Sequence, residues 1–293
     1  MSTTAKDHVY VGMDGGTREY LISPQMVQDY AAAVREHHPW YTGPSAFGGP
    51  VAPALIRHSE MYVDRRWYLP NLHGNLHARQ EWDLYAPVLV GEKITTHSVV
   101  VDRYIKRGRD YVVDEVLLIG SDGHVRARSR THQSFLLDTA VTGQVFGKER
   151  EKESGRRFAV GQGESLETLS PLEKHVDQDM CIRYSGPGKN YHTDREAAKE
   201  LGFPEVVVQG MLSVCFLSEL LTKRFGAGWF RGGKLNVNLV NVLWMDENVT
   251  AHGVIKEITP EGGSGRQRAH LEVWCQKADG TVITVGNASA VVE

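Results

Sequence analysis

The feature that most restricts what this chain can fold into is that it echoes itself. "VLVGEKITTHSVV" begins at Val88 and "VLWMDENVTAHGVI" at Val242. Each runs on into alternating apolar and polar residues broken by an Asp-Gly turn, at Asp122-Gly123 and Asp279-Gly280. Asp-Gly between alternating segments marks a tight hairpin, because the turn needs residues that tolerate positive φ. The two segments are offset by 154 residues and the two turns by 157. "VREHHPWY" and "YSGPGKNYH", ending at Tyr41 and His192, are offset by 151. Three landmarks at nearly one offset predict a duplicated unit of about 130 to 150 residues, an ordinary domain size. Two copies are too few for a solenoid.

The expected organisation is a first unit over residues 1–146, a connecting segment over 147–170 and a second unit over 171–293. The connecting stretch "GKEREKESGRRFAVGQGESLETLS" is charged, contains glycine and serine, and is poor in apolar residues, so it reads as a solvated linker. Each unit is expected to run from a short helix through a glycine-rich loop and an apolar helix to several long strands. In the first, Ser23-Pro24 supplies an N-cap and first-turn pair before "QMVQDYAAAVREHH". In the second, "QGMLSVCFLSELLTKRF" carries apolar residues around so much of its surface that other structure must wrap it. An apolar helix per unit followed by antiparallel strands predicts an α+β fold, a sheet curled around a helix.

Bulk composition narrows the function classes. The chain of 293 residues is 41% hydrophobic and 24% charged, with a formal charge of −3, which gives no general attraction to nucleic acid or an acidic membrane. Cys181, Cys215 and Cys275 are odd in number and lack C-x-x-C spacing, so neither a disulfide framework nor a zinc site is expected and a reducing cytoplasm fits best. The N-terminus "MSTTAKDHVYVGMDGG" has no apolar core, and no apolar run approaches the roughly 18 residues of a membrane span.

One stretch carries chemistry: "YSGPGKNYHTDREAAKELGFPEVVVQGMLSVCFLSELL". It resembles the hydratase signature of the MaoC-like hot-dog proteins, the (R)-specific enoyl-CoA hydratases and dehydratases. That pattern runs Ser-Gly-Asp-x-Asn-Pro-x-His-x-Asp, then an alanine-bearing helix, Gly-Phe and His-Gly-Met-Leu. Ser185, Gly186, His192, Asp194, Gly202-Phe203 and Gly210-Met211-Leu212 fall in register with it, and Ser218 matches the family's helix serine. "VREHHPWY", "GGPVAPALI" and "YAPVLVGEKI" resemble the degenerate unit of two-domain members. The resemblance implies a double hot-dog, an acyl thioester substrate bringing coenzyme A with it, no separate cofactor or metal, and a homodimer or higher homo-oligomer. It implies catalytic roles for His192 as base and the Gly210 N–H as oxyanion donor, and substrate contacts from Lys189, Asn190, Gln209, Met211 and Ser218. It points to fatty acid or aromatic acid metabolism.

The departures are as informative. The family's catalytic aspartate is Pro187 here, its Asn-Pro is Lys189-Asn190, and the histidine before Gly-Met is Gln209. A proline cannot move a proton. The candidates for a substitute acid are Glu36, which stands in the first unit where Pro187 stands in the second, and Asp194; the third option uses no acid at all. Thr193 and Glu196 read as a capping box, so a helix is expected directly after His192, its positive end keeping the imidazole neutral and basic.

Elsewhere, His37, His38 and His58 show no metal-ligand spacing. Arg126, Arg128 and Arg130 share one face of a strand, where they either receive coenzyme A phosphates or form a solvated face. "HPWYTGP" and "MYVDRRWYLP" are compatible with a bulky or aromatic acyl group or with core. The reaction expected first is reversible hydration of an enoyl-CoA. A thioesterase and a non-catalytic acyl-CoA-binding subunit are the alternatives.

Overall fold

The computed structural model describes residues 8–137, 158–262 and 265–293. The first helix forms where the sequence places it: the Ser23 hydroxyl accepts the Met26 N–H at 3.1 Å and Pro24 opens α1 (Pro24–Val34). Arg35, at φ 54°, ends it in the left-handed region. The first unit then supplies β1 (Asp14–Leu21), β2 (Leu76–Leu84), β3 (Lys93–Lys106), β4 (Arg109–Gly120) and β5 (Val125–Leu136). The second supplies β6 (Glu167–Thr168), β7 (Leu172–Val176), β8 (Lys234–Leu239), β9 (Glu247–Glu261), β10 (Arg266–Lys277) and β11 (Val282–Val292). Its helices are α2 (Gln178–Ser185), α3 (Arg195–Glu200), α4 (Met211–Phe225) and α5 (Ala227–Phe230).

All these strands belong to one antiparallel sheet in the order β1-β3-β4-β5-β2-β8-β11-β10-β9-β6, with β7 also pairing β9. The units meet edge to edge where β2 pairs β8, with Trp82 opposite Leu235. The joint leaves neither inner edge open for pairing with another chain. The duplication is explicit: β3 and β9 begin 154 residues apart, and β4 and β10 begin 157 apart, as do β5 and β11. It extends to single hydrogen bonds. Val51 N–H donates to the Trp40 carbonyl as Val207 N–H does to that of Tyr191, and Ala52 to Val88 as Val208 to Leu243. The two Asp-Gly turns close the β4–β5 and β10–β11 hairpins, Gly123 at φ 80° and Gly280 at φ 85°.

The helix α4 is wrapped as its composition demands, packing on β9, β10 and β11 with Leu212, Val214, Cys215, Phe216, Leu217 and Leu221 fully buried. The expected counterpart in the first unit is absent, and this corrects the picture of a central apolar helix in each unit. After Ala52 the chain makes a succession of i→i−3 turns, from Ile56 N–H on Pro53 to Val63 N–H on Glu60, ending in a 3-10 turn at Glu60–Tyr62. Pro50 and Pro53 do not explain this, since they precede the point where the helix would begin and proline is tolerated in a first turn. The inner face of the first unit's sheet, however, is too polar to receive an apolar helix. Thr96 bonds buried Glu60, Ser98 bonds Asp114 at 2.7 Å, and Gln80 joins Ser129 and Thr131 at 2.8 Å each.

The connecting segment enters the description at residue 158; residues 147–157 lie outside the described residues. Beyond that point it lies on the second unit instead of running free. Phe158 and Val160 pack with Val254, Trp274 and Val282, Leu166 N–H donates to Ile255, and Leu169 is buried. Among the described residues no helix is long and apolar enough to cross a membrane.

Candidate active site

Between the units lies a cavity of about 450 Å³, walled by the loop Ser185–His192, the start of α4, the ends of β8 and β11, and the first-unit segment from Tyr62 to His77. The loop gives His192 a fixed address. Asn190 Oδ1 accepts the His192 N–H at 2.8 Å, Asn190 Nδ2 donates to the Gly188 carbonyl, and the Thr193 hydroxyl closes the same turn on Gly188 at 2.9 Å. Gly186 holds φ 88°, open to glycine without strain. The helix that follows is capped by Asp194, whose carboxylate accepts the Ala197 N–H, so the cap sits one residue beyond the expected Thr193 and Glu196 is left to pair Lys199.

The imidazole's tautomer follows from its partner. His192 Nδ1 lies 2.7 Å from the Val207 carbonyl oxygen, which can only accept, so Nδ1 carries the hydrogen and Nε2 is bare in the neutral ring. Burial, with a smaller contribution from the nearby Arg65 charge, lowers the ring's pKa to about 4, so the imidazole is neutral at physiological pH. Tyr191, stacked on Phe203 at 5.8 Å, lies 3.9 Å from the His192 ring and fixes its plane.

Gly210 precedes α4 with helical angles, φ −56° and ψ −33°. A Cβ there would overlap Leu239 Cδ2 on the cavity wall, with His77 at 3.7 Å, so glycine keeps this corner open. Its N–H, at the positive end of a 15-residue helix, is suited to a developing negative oxygen.

The predicted residues divide clearly. His192, Gly210, Asn190 and Gln209 line the cavity; Lys189, Met211, Ser218, Glu36 and Asp194 do not. Lys189 is exposed and pairs Asp194 at 3.3 Å. Met211 is core. Ser218 accepts the buried Trp229 indole N–H at 3.0 Å. Glu36 is buried apart from the cavity and accepts the Tyr41 hydroxyl, so the first-unit counterparts of Pro187 and His192 bond each other. Pro187 is exposed and off the cavity wall. Glu200, exposed at the rim, is the one carboxylate among the residues lining the cavity.

The three strand arginines are held by neighbours: Arg126 by Glu92, Arg128 by Asp83 and Arg130 by Glu115. His58 is buried against Tyr184 at 4.5 Å. Among the described residues no His, Cys, Asp and Glu cluster is arranged to hold a metal. Of the two aromatic stretches, the first is core, Trp40 packing on Phe47 and Phe230. The second sends Tyr62 and Tyr68 to the cavity and keeps Trp67 in the core.

Residues not anticipated from sequence complete the wall: Asn75, His77 and Gln133 from the first unit, Ser213 and Thr284 from the second. The only sign of those on strands was the alternation that marked the strands themselves. Three lining residues keep a buried oxygen without a partner among the described residues: Ser185 Oγ, Gln209 Oε1 and Gln133 Oε1. Unpaired buried acceptors of this kind fit a cavity built for a polar guest.

Comparison with known proteins agrees with this architecture. Residues 9–127 match the family model described as FAS1-like, dehydratase domain region. No curated protein matches the sequence. Among solved structures, a MaoC-like dehydratase superposes with a TM-score of 0.77 at 16% identity, covering 99% of each chain. A MaoC-like dehydratase from Phytophthora capsici superposes at 0.68 and 18%, covering 98% of each. A conserved hypothetical protein from Mycobacterium tuberculosis, described as having a double hot-dog fold, superposes at 0.62 and 10%, covering 97% of this chain and 96% of that one. The chain therefore has the double hot-dog fold.

Proposed function

We propose that the chain is a hydro-lyase that adds water across the double bond of an enoyl thioester, and in reverse dehydrates a 3-hydroxyacyl thioester, with coenzyme A as the acyl carrier. The observation that carries this reading is the pairing, in one cavity, of a neutral His192 with a bare Nε2 and the Gly210 N–H at the start of α4. The loop motif and the dehydratase-region match over residues 9–127 support the same reaction class.

The chemistry balances without a carboxylate. The water oxygen bonds to C3 while its proton passes to His192 Nε2, and the π electrons move through C2 to the thioester oxygen, where the Gly210 N–H receives the charge. Imidazolium in this site gives up its proton readily, because burial disfavours its charge. It returns the proton to C2, the carbonyl re-forms, and the water's hydrogen and hydroxyl are both in the product. Base catalysis of this kind contributes about 10²–10⁴-fold, and an oxyanion donor about 3 kcal/mol. One residue serving both transfers accounts for Pro187 and predicts addition of hydrogen and hydroxyl to the same face.

The cavity, about 450 Å³ with tyrosine, asparagine and glutamine in its first-unit wall, suits a compact acyl group with polar or aromatic character better than a long saturated chain. The test is purified protein on crotonyl-, 2-octenoyl- and cinnamoyl-CoA, following loss of the conjugated thioester's absorbance and, in parallel, release of thiol. Hydration without thiol release supports the reading. Thiol release without hydration replaces it with a thioesterase, and binding without either product replaces it with an acyl-CoA-binding protein.

A further inference from the structure

The site holds an answer to the missing aspartate, contributed by the other unit. His77 Nε2 lies 3.1 Å from the Arg79 carbonyl oxygen, an acceptor only, so Nε2 carries the ring hydrogen. Burial keeps the ring neutral by lowering its pKa to about 4, and Nδ1 is therefore an acceptor. The Tyr62 hydroxyl, 3.2 Å from that nitrogen, must donate to it. Its single hydrogen is thus committed to His77, and the phenol oxygen, on the cavity wall, is left to any further partner as an acceptor. Burial also pushes the phenol's pKa up, so the hydrogen stays on Tyr62. His77 lies beside the proposed oxyanion donor, its Cβ and Nδ1 each 3.7 Å from where a Cβ on Gly210 would stand.

We infer that Tyr62, oriented by His77, is the second acceptor for the reacting water, taking over the holding role that a carboxylate at Pro187 would have played. The inference rests on the hydro-lyase reading above. A water molecule has two hydrogens to place. One goes to His192 Nε2, which removes it as the oxygen bonds to C3. The other is held by the Tyr62 oxygen and stays on the product hydroxyl, so no proton is transferred at Tyr62 and the balance of the reaction is unchanged. Tyr62 is a catalytic residue in this scheme because it touches the reacting water; His77 is a positioning residue. The arrangement depends on the first unit's departure from the second. Tyr62 ends the 3-10 turn that stands in place of a long apolar helix, and that turn brings its ring to the cavity.

The test is steady-state kinetics of the full chain on crotonyl-, 2-octenoyl- and cinnamoyl-CoA, for the wild type, Tyr62→Phe, His77→Leu and His77→Asn. Tyr62→Phe keeps the ring and removes the oxygen, so kcat should fall about tenfold or more with KM little changed. His77→Leu should lose as much. His77→Asn, whose Oδ1 stands close to the position of Nδ1, should recover most of the loss, a recovery that a purely structural role for His77 does not produce. A Tyr62→Phe enzyme with wild-type kcat overturns the inference and leaves the hydro-lyase reading intact, as does an Asn variant no better than the Leu variant. A wild type inert on all three substrates overturns both. Should Tyr62→Phe fail to fold, 3-fluorotyrosine at position 62 serves instead: it preserves the ring and weakens the oxygen as an acceptor, and an unchanged kcat overturns the inference.

Discussion

Replacing Glu36 by glutamine separates two roles that the sequence left open for this residue, substitute acid and buried core group. Glu36 is 3% exposed, accepts the Tyr41 hydroxyl, and lies near Glu219, which is ion-paired at 2.7 Å to both Lys174 and Lys223. Burial raises the Glu36 carboxyl from 4.5 to about 8, and the Glu219 charge adds to this, against the Tyr41 hydrogen bond and the two lysines. The folded state therefore binds a proton that the unfolded state releases. The associated stability is complete below pH 4.5 and is lost as pH rises through 8, at up to about 1.4 kcal/mol per pH unit. A glutamine amide in this place keeps a carbonyl oxygen for Tyr41 and cannot ionise. Relative to wild type, Glu36→Gln should gain about 2 kcal/mol between pH 6 and pH 8. Asp114, raised by burial to about 7, titrates equally in both proteins and cancels in the difference. Denaturant melts at the two pH values measure the effect, and a difference that does not change with pH refutes the electrostatic argument. Turnover is the second readout. Glu36 does not line the cavity, so hydration should stay within about twofold of wild type, the range expected where no contact with substrate is removed. A large loss would make Glu36 the missing acid and discard the single-base scheme.

Two further substitutions probe the cavity wall and the core behind it. Gly210→Ala is compatible with the helical backbone angles, but its methyl group overlaps Leu239, so that side chain on the cavity wall must shift. Stability should change little while kcat/KM falls about tenfold or more, and unchanged kcat/KM would move the acyl site away from this corner. Ser218→Ala leaves the buried Trp229 indole without its acceptor and should cost about 1–3 kcal/mol by denaturant melt. Because Ser218 is off the cavity, kcat/KM should hold; a selective loss of kcat/KM with stability preserved would restore Ser218 as a substrate contact.

What the sequence made legible was whatever is local or repeated. The Ser23 cap, the two Asp-Gly hairpins, the near-constant offset and the loop leading to His192 each depend on residues within a few positions of one another or on the repeat itself. Long-range features were not legible. Tyr62, His77 and Gln133 reach the His192 cavity because β2 pairs β8 across more than 150 residues of chain, and no spacing encodes that joint. The absent first-unit helix misled for a different reason. Val51, Ala52, Leu55 and Ile56 are spaced as on a helix face and are buried, yet over a polar sheet face the chain takes i→i−3 turns. Ser218 and Asp194 show the limit of carrying roles by register: the motif positions match, but one side chain is taken by Trp229 and the other by the cap of α3.

In the proposed hydration His192 Nε2 is the group that takes and returns the proton. The most direct measurement is kcat/KM of His192→Ala against wild type on the best thioester substrate, with retention of fold verified by melting. Removing the base should lower kcat/KM by about 10²–10⁴-fold, since no other cavity-lining side chain presents a neutral imidazole nitrogen without a hydrogen-bond partner among the described residues. A His192→Ala enzyme that hydrates within tenfold of wild type would contradict the account.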